Sequence, residues 1–211
     1  MKKNLLALAF LVGLLTCCKS EDAPIKPVKP TDPGSINKEY MSRAETTFAN
    51  IFKYYWSDKV RMMFGSYPNT LGTPQEPSSP DYDSHAYLWG LGSVVSAFNA
   101  IVQNTDNVDF RMTYESRLKE TLLKYYNTTK EPMCFGCFVN PHDQRLYDDA
   151  IWVGIDLADL YSKTKDSWYL DYAKSVWNFV LSGKDDELGG GVYWDENAKD
   201  SKNTCSNAPA V

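Results

Sequence analysis

The chain has 211 residues, a formal net charge of -5, and 14% aromatic residues, including 6 Trp and 14 Tyr. That length suits one domain with a substantial core, and the ring content excludes a disordered or fibrous chain. The acidic balance, with no Lys/Arg cluster beyond the first residues, argues against a nucleic-acid surface and for neutral or weakly charged partners.

In "MKKNLLALAFLVGLLTCCKSED", Lys2 and Lys3 precede an apolar run from Leu5 to Leu15 and then cysteines, which is the order of a secretory signal. A membrane-spanning helix needs about 20 apolar residues, so the run is too short to span. The "LLTCC" ending resembles a bacterial lipobox, with Leu15 three residues before Cys18 and Leu14 three before Cys17. "CKSED" resembles the acidic sequence after the lipidated cysteine of surface-exported lipoproteins of the Bacteroidetes, which favours Cys18. The expectation is a signal over residues 1–18 and a lipid anchor holding the protein on the outer membrane, surface-exposed. An ordinary cleaved signal, with a periplasmic or secreted product, is the alternative. The four prolines of "APIKPVKPTDPGS" favour extended polyproline II, so residues 19–36 read as a semi-rigid tether and the folded domain as 37–211.

Five helical segments follow, with no convincing run of strands. The first, about 37 to 56, carries Met41, Ala44, Phe48, Ile51 and Tyr55 on one stripe. The second, about 84 to 103, "SHAYLWGLGSVVSAFNAIVQ", is apolar all round and therefore predicted buried all round. The third, about 109 to 127, is striped again through Tyr114, Leu118, Leu122 and Tyr125. The fourth, "RLYDDAIWVGIDLADLY" at 145–161, is apolar on nearly every side, and the fifth, about 167 to 182, returns to a stripe through Leu170, Ala173, Val176, Trp177 and Val180. Striped helices on the outside and all-apolar helices on the inside make an all-α, α/α toroid of helix pairs; a bundle around one central helix is the alternative.

In a toroid the inner helices run parallel, so the loops before them collect at one rim. "PSSPDYDSHAY" brings Asp81, Asp83 and His85 there, and "GCFVNPHDQRLYDD" brings His142, Asp143, Arg145, Tyr147, Asp148 and Asp149. The glycine run Gly189, Gly190, Gly191 predicts a tight hairpin presenting Tyr193, Trp194 and Asp195. Asp83 or Ser84 reads as a helix N-cap and Asp185, Asp186 and Glu187 as a solvated turn. Cys134 and Cys137 of "CFGC" read as a disulfide or buried thiols rather than a metal half-site, since no second CxxC exists. No GxSxG elbow supports a serine nucleophile.

The adjacent Asp148 and Asp149 need more explanation. One acidic residue at a helix N-terminus is favourable, but a second adds like-charge repulsion that capping does not need. In a cleft, two such carboxyls titrate apart, one ionised and one protonated, as glycoside hydrolysis requires. Retaining enzymes hold the two about 5 to 5.5 Å apart, within reach of diverging side chains on neighbouring residues, whose Cα atoms lie about 3.8 Å apart.

"YDDAIWVGIDLADLY", "YLDYAKSVWNFVLSG", "GGGVYWDE" and "KNTCSNAPA", in that order, resemble glycoside hydrolase family 76, the bacterial and fungal endo-α-1,6-mannanases. The resemblance implies an (α/α)6 barrel of six helix pairs, of which this chain supplies roughly the N-terminal half, so that it reads as truncated after "CSNAPAV". It implies retaining hydrolysis of α-1,6-mannosidic bonds in α-mannan, with no metal or organic cofactor. It matches Asp148 to the nucleophile and Asp149 to the general acid/base. Tyr193 and Trp194 match an aromatic sugar-stacking edge, and Tyr147, Asp195, His85 and Asn207 are further substrate-binding candidates. A non-catalytic mannan-binding lipoprotein and an inactive pseudo-enzyme are the alternatives.

Overall fold

The computed structural model of the protein describes residues 38–68, 85–139 and 144–211. The expected signal at 1–18 with Cys17 and Cys18, the tether at 19–36, and Asn37, Asp81, Asp83, Ser84, His142 and Asp143 lie outside the described residues.

Five long helices carry the described fold: α1 (Lys38–Tyr55), α2 (Leu88–Asn104), α3 (Val108–Tyr125), α4 (Tyr147–Thr164) and α5 (Ser167–Ser182), with a single turn, α6 (Thr204–Asn207), near the end. Burial follows the striped and all-apolar alternation. In α1 only Phe48 and Phe52 are fully buried, whereas α4 buries ten residues from Tyr147 to Leu160. The inner helices α2 and α4 are parallel. Asn99 Nδ2 donates to Asp156 Oδ1 at 2.9 Å and Gln103 Nε2 to the Asp159 carbonyl at 2.9 Å, and Ser96 Oγ donates to Asp156 Oδ2. Each step down α2 therefore meets a step down α4, and both helices start at the same end. Burial holds the Asp156 carboxyl above the usual range even though Ser96 and Asn99 donate to it.

The outer helices close this pair on one side. Phe48 of α1 lies 6.0 Å from Phe98 of α2 and 5.3 and 5.1 Å from Phe110 and Tyr114 of α3, ring centroid to centroid, forming one aromatic core. On the other flank α5 crosses α4 so closely that a Cβ on Gly154 would meet Val176 Cγ1 at 2.6 Å. The result is an arc of an α/α toroid, two inner helices backed by three outer ones.

The structure corrects three expectations. Two short antiparallel ladders are present: β1 (Trp56–Ser57) with β2 (Met62–Met63), and β3 (Tyr126–Asn127) with β4 (Cys134–Phe135). They deliver the chain to the rim, where Ala86 N–H donates to the Met63 carbonyl and Leu88 N–H to the Cys137 carbonyl, both at 2.9 Å. Helix α2 begins at Leu88 rather than near 84, with Tyr87 as its N-cap. The inner helices are not buried all round, because the outer helices cover only one side of them: Trp89, Trp152 and Ile155 are exposed. No helix among the described residues is long and apolar enough to cross a membrane.

Candidate active site

Asp148 and Asp149 occupy the first turn of α4, on the rim where both inner helices start. What fixes that turn is the residue before its N-cap. Arg145 is fully buried and its guanidinium forks onto Glu196, with Nε 2.8 Å from Oε2 and Nη2 donating to Oε1. Its Nη1 donates to the Pro132 carbonyl at 2.6 Å, and the guanidinium lies 4.8 Å from the centre of the Phe179 ring. The backbone repeats the connection: Tyr147 N–H donates to the Trp194 carbonyl at 3.0 Å, Glu196 N–H to the Arg145 carbonyl at 3.3 Å, and Leu146 bridges Asp195. Residues 194–196 thus strap the entry to α4. Burial would raise the Glu196 carboxyl, but hydrogen bonds from Arg145 and Lys130 outweigh it and hold the group below its ordinary value.

The two aspartates are 7% and 8% exposed. Burial first, then the negative charge of Asp148, pushes the Asp149 carboxyl up to about 6, with the Cys137 thiol as an offsetting hydrogen-bond donor. Asp148 Oδ1 is buried with no hydrogen-bond partner; burial, and then the Asp148 carboxylate beside it, push the Cys205 thiol up. An acid able to hold its proton near pH 6, beside a second carboxyl with an uncommitted oxygen, can donate a proton and supply a nucleophile at one place.

The other candidate residues divide into those on the open face and those beneath it. Trp194 is part-exposed. Asp195 is anchored, Oδ1 accepting from Asn197 N–H at 2.8 Å and Oδ2 from Gln144 at 3.4 Å. His85 stacks on Phe64 at 6.1 Å, three residues before α2. Tyr147 lies beneath the pair, flat on Phe179 at 4.4 Å. Tyr193 is buried under the Lys202 ammonium, 4.5 Å from the ring centre. Asn207 braces the glycine turn: its Oδ1 accepts from Val192 N–H at 2.7 Å and its Nδ2 donates to the Val192 carbonyl at 2.9 Å. The turn needs glycine on two counts, since Gly189, Gly190 and Gly191 all have φ near +90° and a Cβ on Gly191 would strike Asn207 Oδ1 at 2.3 Å. The acidic turn before it is tied down rather than merely solvated, because Lys202 Nζ bonds Asp185 Oδ1 at 2.5 Å and the Glu187 carbonyl at 2.7 Å.

Cys134, Cys137 and Cys205 are free thiols, and no cluster of metal-ligating side chains is present among the described residues. Sequence reasoning missed the Arg145–Glu196 pair and the two thiols beside the aspartates. Arg145 precedes "LYDD" by one residue, but nothing in the sequence pairs it with a glutamate 51 positions later.

The sequence model of glycosyl hydrolase family 76 matches residues 39–211. Among curated proteins, none matches the chain. Among solved structures, it is similar to a family 76 mannosidase from Bacteroides thetaiotaomicron VPI-5482, with 24% identity, a TM-score of 0.66, and 81% of this chain and 46% of that one covered. A family 76 glycoside hydrolase from a bovine Bacteroides thetaiotaomicron strain gives 28% identity and a TM-score of 0.67, covering 81% and 36%. An inactive variant of a Salegentibacter α-1,6-mannanase, with two consecutive aspartates replaced by alanine and α-1,6-mannotetrose bound, gives 19% and 0.56, covering 81% and 42%. The chain spans less than half the length of each of these three relatives.

Proposed function

The chain belongs to glycosyl hydrolase family 76, and from that premise we propose that it hydrolyses the α-1,6-mannosidic bonds of an α-mannan with retention of configuration. The observation that carries this reading is the buried Asp148–Asp149 pair, in which burial and the neighbouring Asp148 charge raise the Asp149 carboxyl. Asp149, holding its proton to about pH 6, donates it to the departing glycosidic oxygen. The Asp148 carboxylate, through its uncommitted Oδ1, attacks the anomeric carbon from the opposite face and forms a glycosyl-enzyme. Asp149, now ionised, takes a proton from the water that releases the sugar. Trp194 offers a ring for a pyranose to pack on, with Asp195 next to it in the chain and His85 across the rim ahead of α2 as polar groups. Tyr147, Tyr193 and Asn207 set the backbone under them. The binding of α-1,6-mannotetrose by the Salegentibacter variant lacking two consecutive aspartates supports both the substrate class and the assignment. The order of Lys2, Lys3, apolar run and Cys18 supports an outer-membrane lipoprotein facing outward.

The test is to incubate the full chain with linear α-1,6-mannan and follow reducing ends and the anomeric proton signals of the first products. The expected result is α-anomer appearing first, with Asp148→Asn abolishing release. First products in the β form would refute retention. Mannan binding without hydrolysis would replace the enzyme reading with that of a glycan-binding protein.

A further inference from the structure

The rim holds an exposed aromatic residue that has no structural reason to be there. Tyr87 is the N-cap of α2, a position that favours Ser, Asp or Asn because their side chains accept a backbone N–H; here no side-chain cap bond is made. Its ring is nevertheless fixed. Phe138 meets it edge-on at 5.0 Å, and the next residue, Leu88, donates its N–H to the Cys137 carbonyl at 2.9 Å. The ring is still 47% exposed, so it is braced from one side and open on the other.

Its place relative to the aspartates follows from the parallel inner helices. Asp156 meets Ser96 and Asn99, and Gln103 meets Asp159, so residues near 88 of α2 stand level with residues near 148 of α4. Consecutive helical residues diverge by about 100°, and the contacts show which way each aspartate turns. Asp149 faces Cys137, the neighbour of Phe138 and the backbone partner of Leu88, whereas Asp148 faces Cys205 of α6. Trp194 belongs to the latter side, its N–H bonded to the Ser201 carbonyl just before α6. Tyr87 and Trp194 therefore flank the pair on opposite sides.

Accepting the mannanase reading above, we propose that Tyr87, braced by Phe138, is a second carbohydrate-stacking platform, so that an α-1,6-linked mannose chain is held by an aromatic ring on each side of the bond to be cleaved. The apolar C–H face of a pyranose covers an aromatic ring, and a rigid ring loses little freedom on binding. A platform beyond the reaction centre is felt only by chains long enough to reach it. Tyr87 consequently governs how affinity grows with oligosaccharide length.

The test measures dissociation constants by calorimetry for α-1,6-linked mannose oligosaccharides of two to six units, using the full chain carrying Asp148→Asn so that ligand stays intact. In that background Tyr87→Phe keeps the ring and Tyr87→Ser removes it while supplying a good N-cap, so a loss of binding cannot come from a weakened helix. The expected outcome is at least a tenfold loss for the longest oligosaccharides with Tyr87→Ser, a change within twofold for the shortest, and near-parent affinities with Tyr87→Phe. Tyr40→Ala, an exposed tyrosine at the far end of α1, serves as the control and leaves every length unchanged. Unchanged affinity with Tyr87→Ser, an equal loss at all lengths, or an equal loss with Tyr87→Phe would overturn the platform and leave the mannanase reading intact. Absence of binding to any length by the parent protein would instead overturn the functional reading on which the platform rests.

Discussion

The Asp149 carboxyl has consequences for both stability and rate. Its pKa is raised from 3.8 to about 6 in the folded protein, so between those values the native state binds more protons than the unfolded chain. Stability therefore falls as the pH rises through this window and stays low above it. At about 1.4 kcal/mol per unit the cost is roughly 3 kcal/mol at neutral pH. Asp149→Asn removes that cost, and urea unfolding at pH 8 is expected to show the variant more stable by roughly 2 to 3 kcal/mol, with the two curves converging below pH 4. On the proposed mechanism the same substitution also takes away the proton donor, so the gain in stability is expected to come with a loss of mannan hydrolysis in the reducing-end assay. Because the Cys137 thiol stabilises the charged form, Cys137→Ala is expected to move the alkaline fall in kcat/KM to higher pH; an unmoved limb would exclude the thiol as a donor. The buried Arg145–Glu196 pair behaves differently. Arg145→Met takes the forked partner from a part-buried carboxylate that Lys130 still pairs, and is expected to cost about 2 to 3 kcal/mol, while Arg145→Met with Glu196→Met recovers part of it, as urea titration of both variants will show. The aspartate pair was legible in the sequence because adjacent like charges at the head of an apolar helix violate a local rule. The groups that tune it were not, since Cys137, Cys205 and Glu196 reach it only through tertiary contacts.

Among the elements, the close crossing of α4 and α5 rests on one missing side chain. A Cβ at residue 154 would sit 2.6 Å from Val176 Cγ1 and 3.1 Å from its Cβ, so the helices must separate to admit it. Gly154→Ala is expected to destabilise the protein by roughly 1 to 3 kcal/mol despite the better helix propensity of alanine. Adding Val176→Ala is expected to restore part of the loss; if thermal melts show the two substitutions simply additive, this crossing does not set the helix spacing. The alternation of striped and all-apolar helices made this architecture readable, because burial on one side or on both imposes different hydrophobic patterns. The ladders were unreadable, since Trp56–Ser57 and Cys134–Phe135 are too short to display a period of two. The start of α2 was misplaced for a related reason: Ser84 offers a cap signal, but the helix waits for Leu88, whose N–H is committed to the Cys137 carbonyl.

At the level of the whole molecule, polar chemistry gathers at one end while apolar surface lies along the helices. Trp89 on α2, Trp152 and Ile155 on α4, and Trp177 and Leu181 on α5 are all exposed. A soluble monomer rarely shows contiguous apolar surface beyond a few hundred Å². A net charge of -5 spread over 211 residues is a weak barrier to contact between such faces, and salt screens it further, to about 10 Å at 0.1 M. The purified chain is therefore expected to bind a hydrophobic dye in its native state and to sediment faster as its concentration rises, more so in high salt. Trp152→Ser combined with Ile155→Ser should weaken both effects at some cost in melting temperature, because each side chain still buries more than half of its surface on folding. A concentration-independent monomer that ignores the dye would mean that these rings are covered in solution.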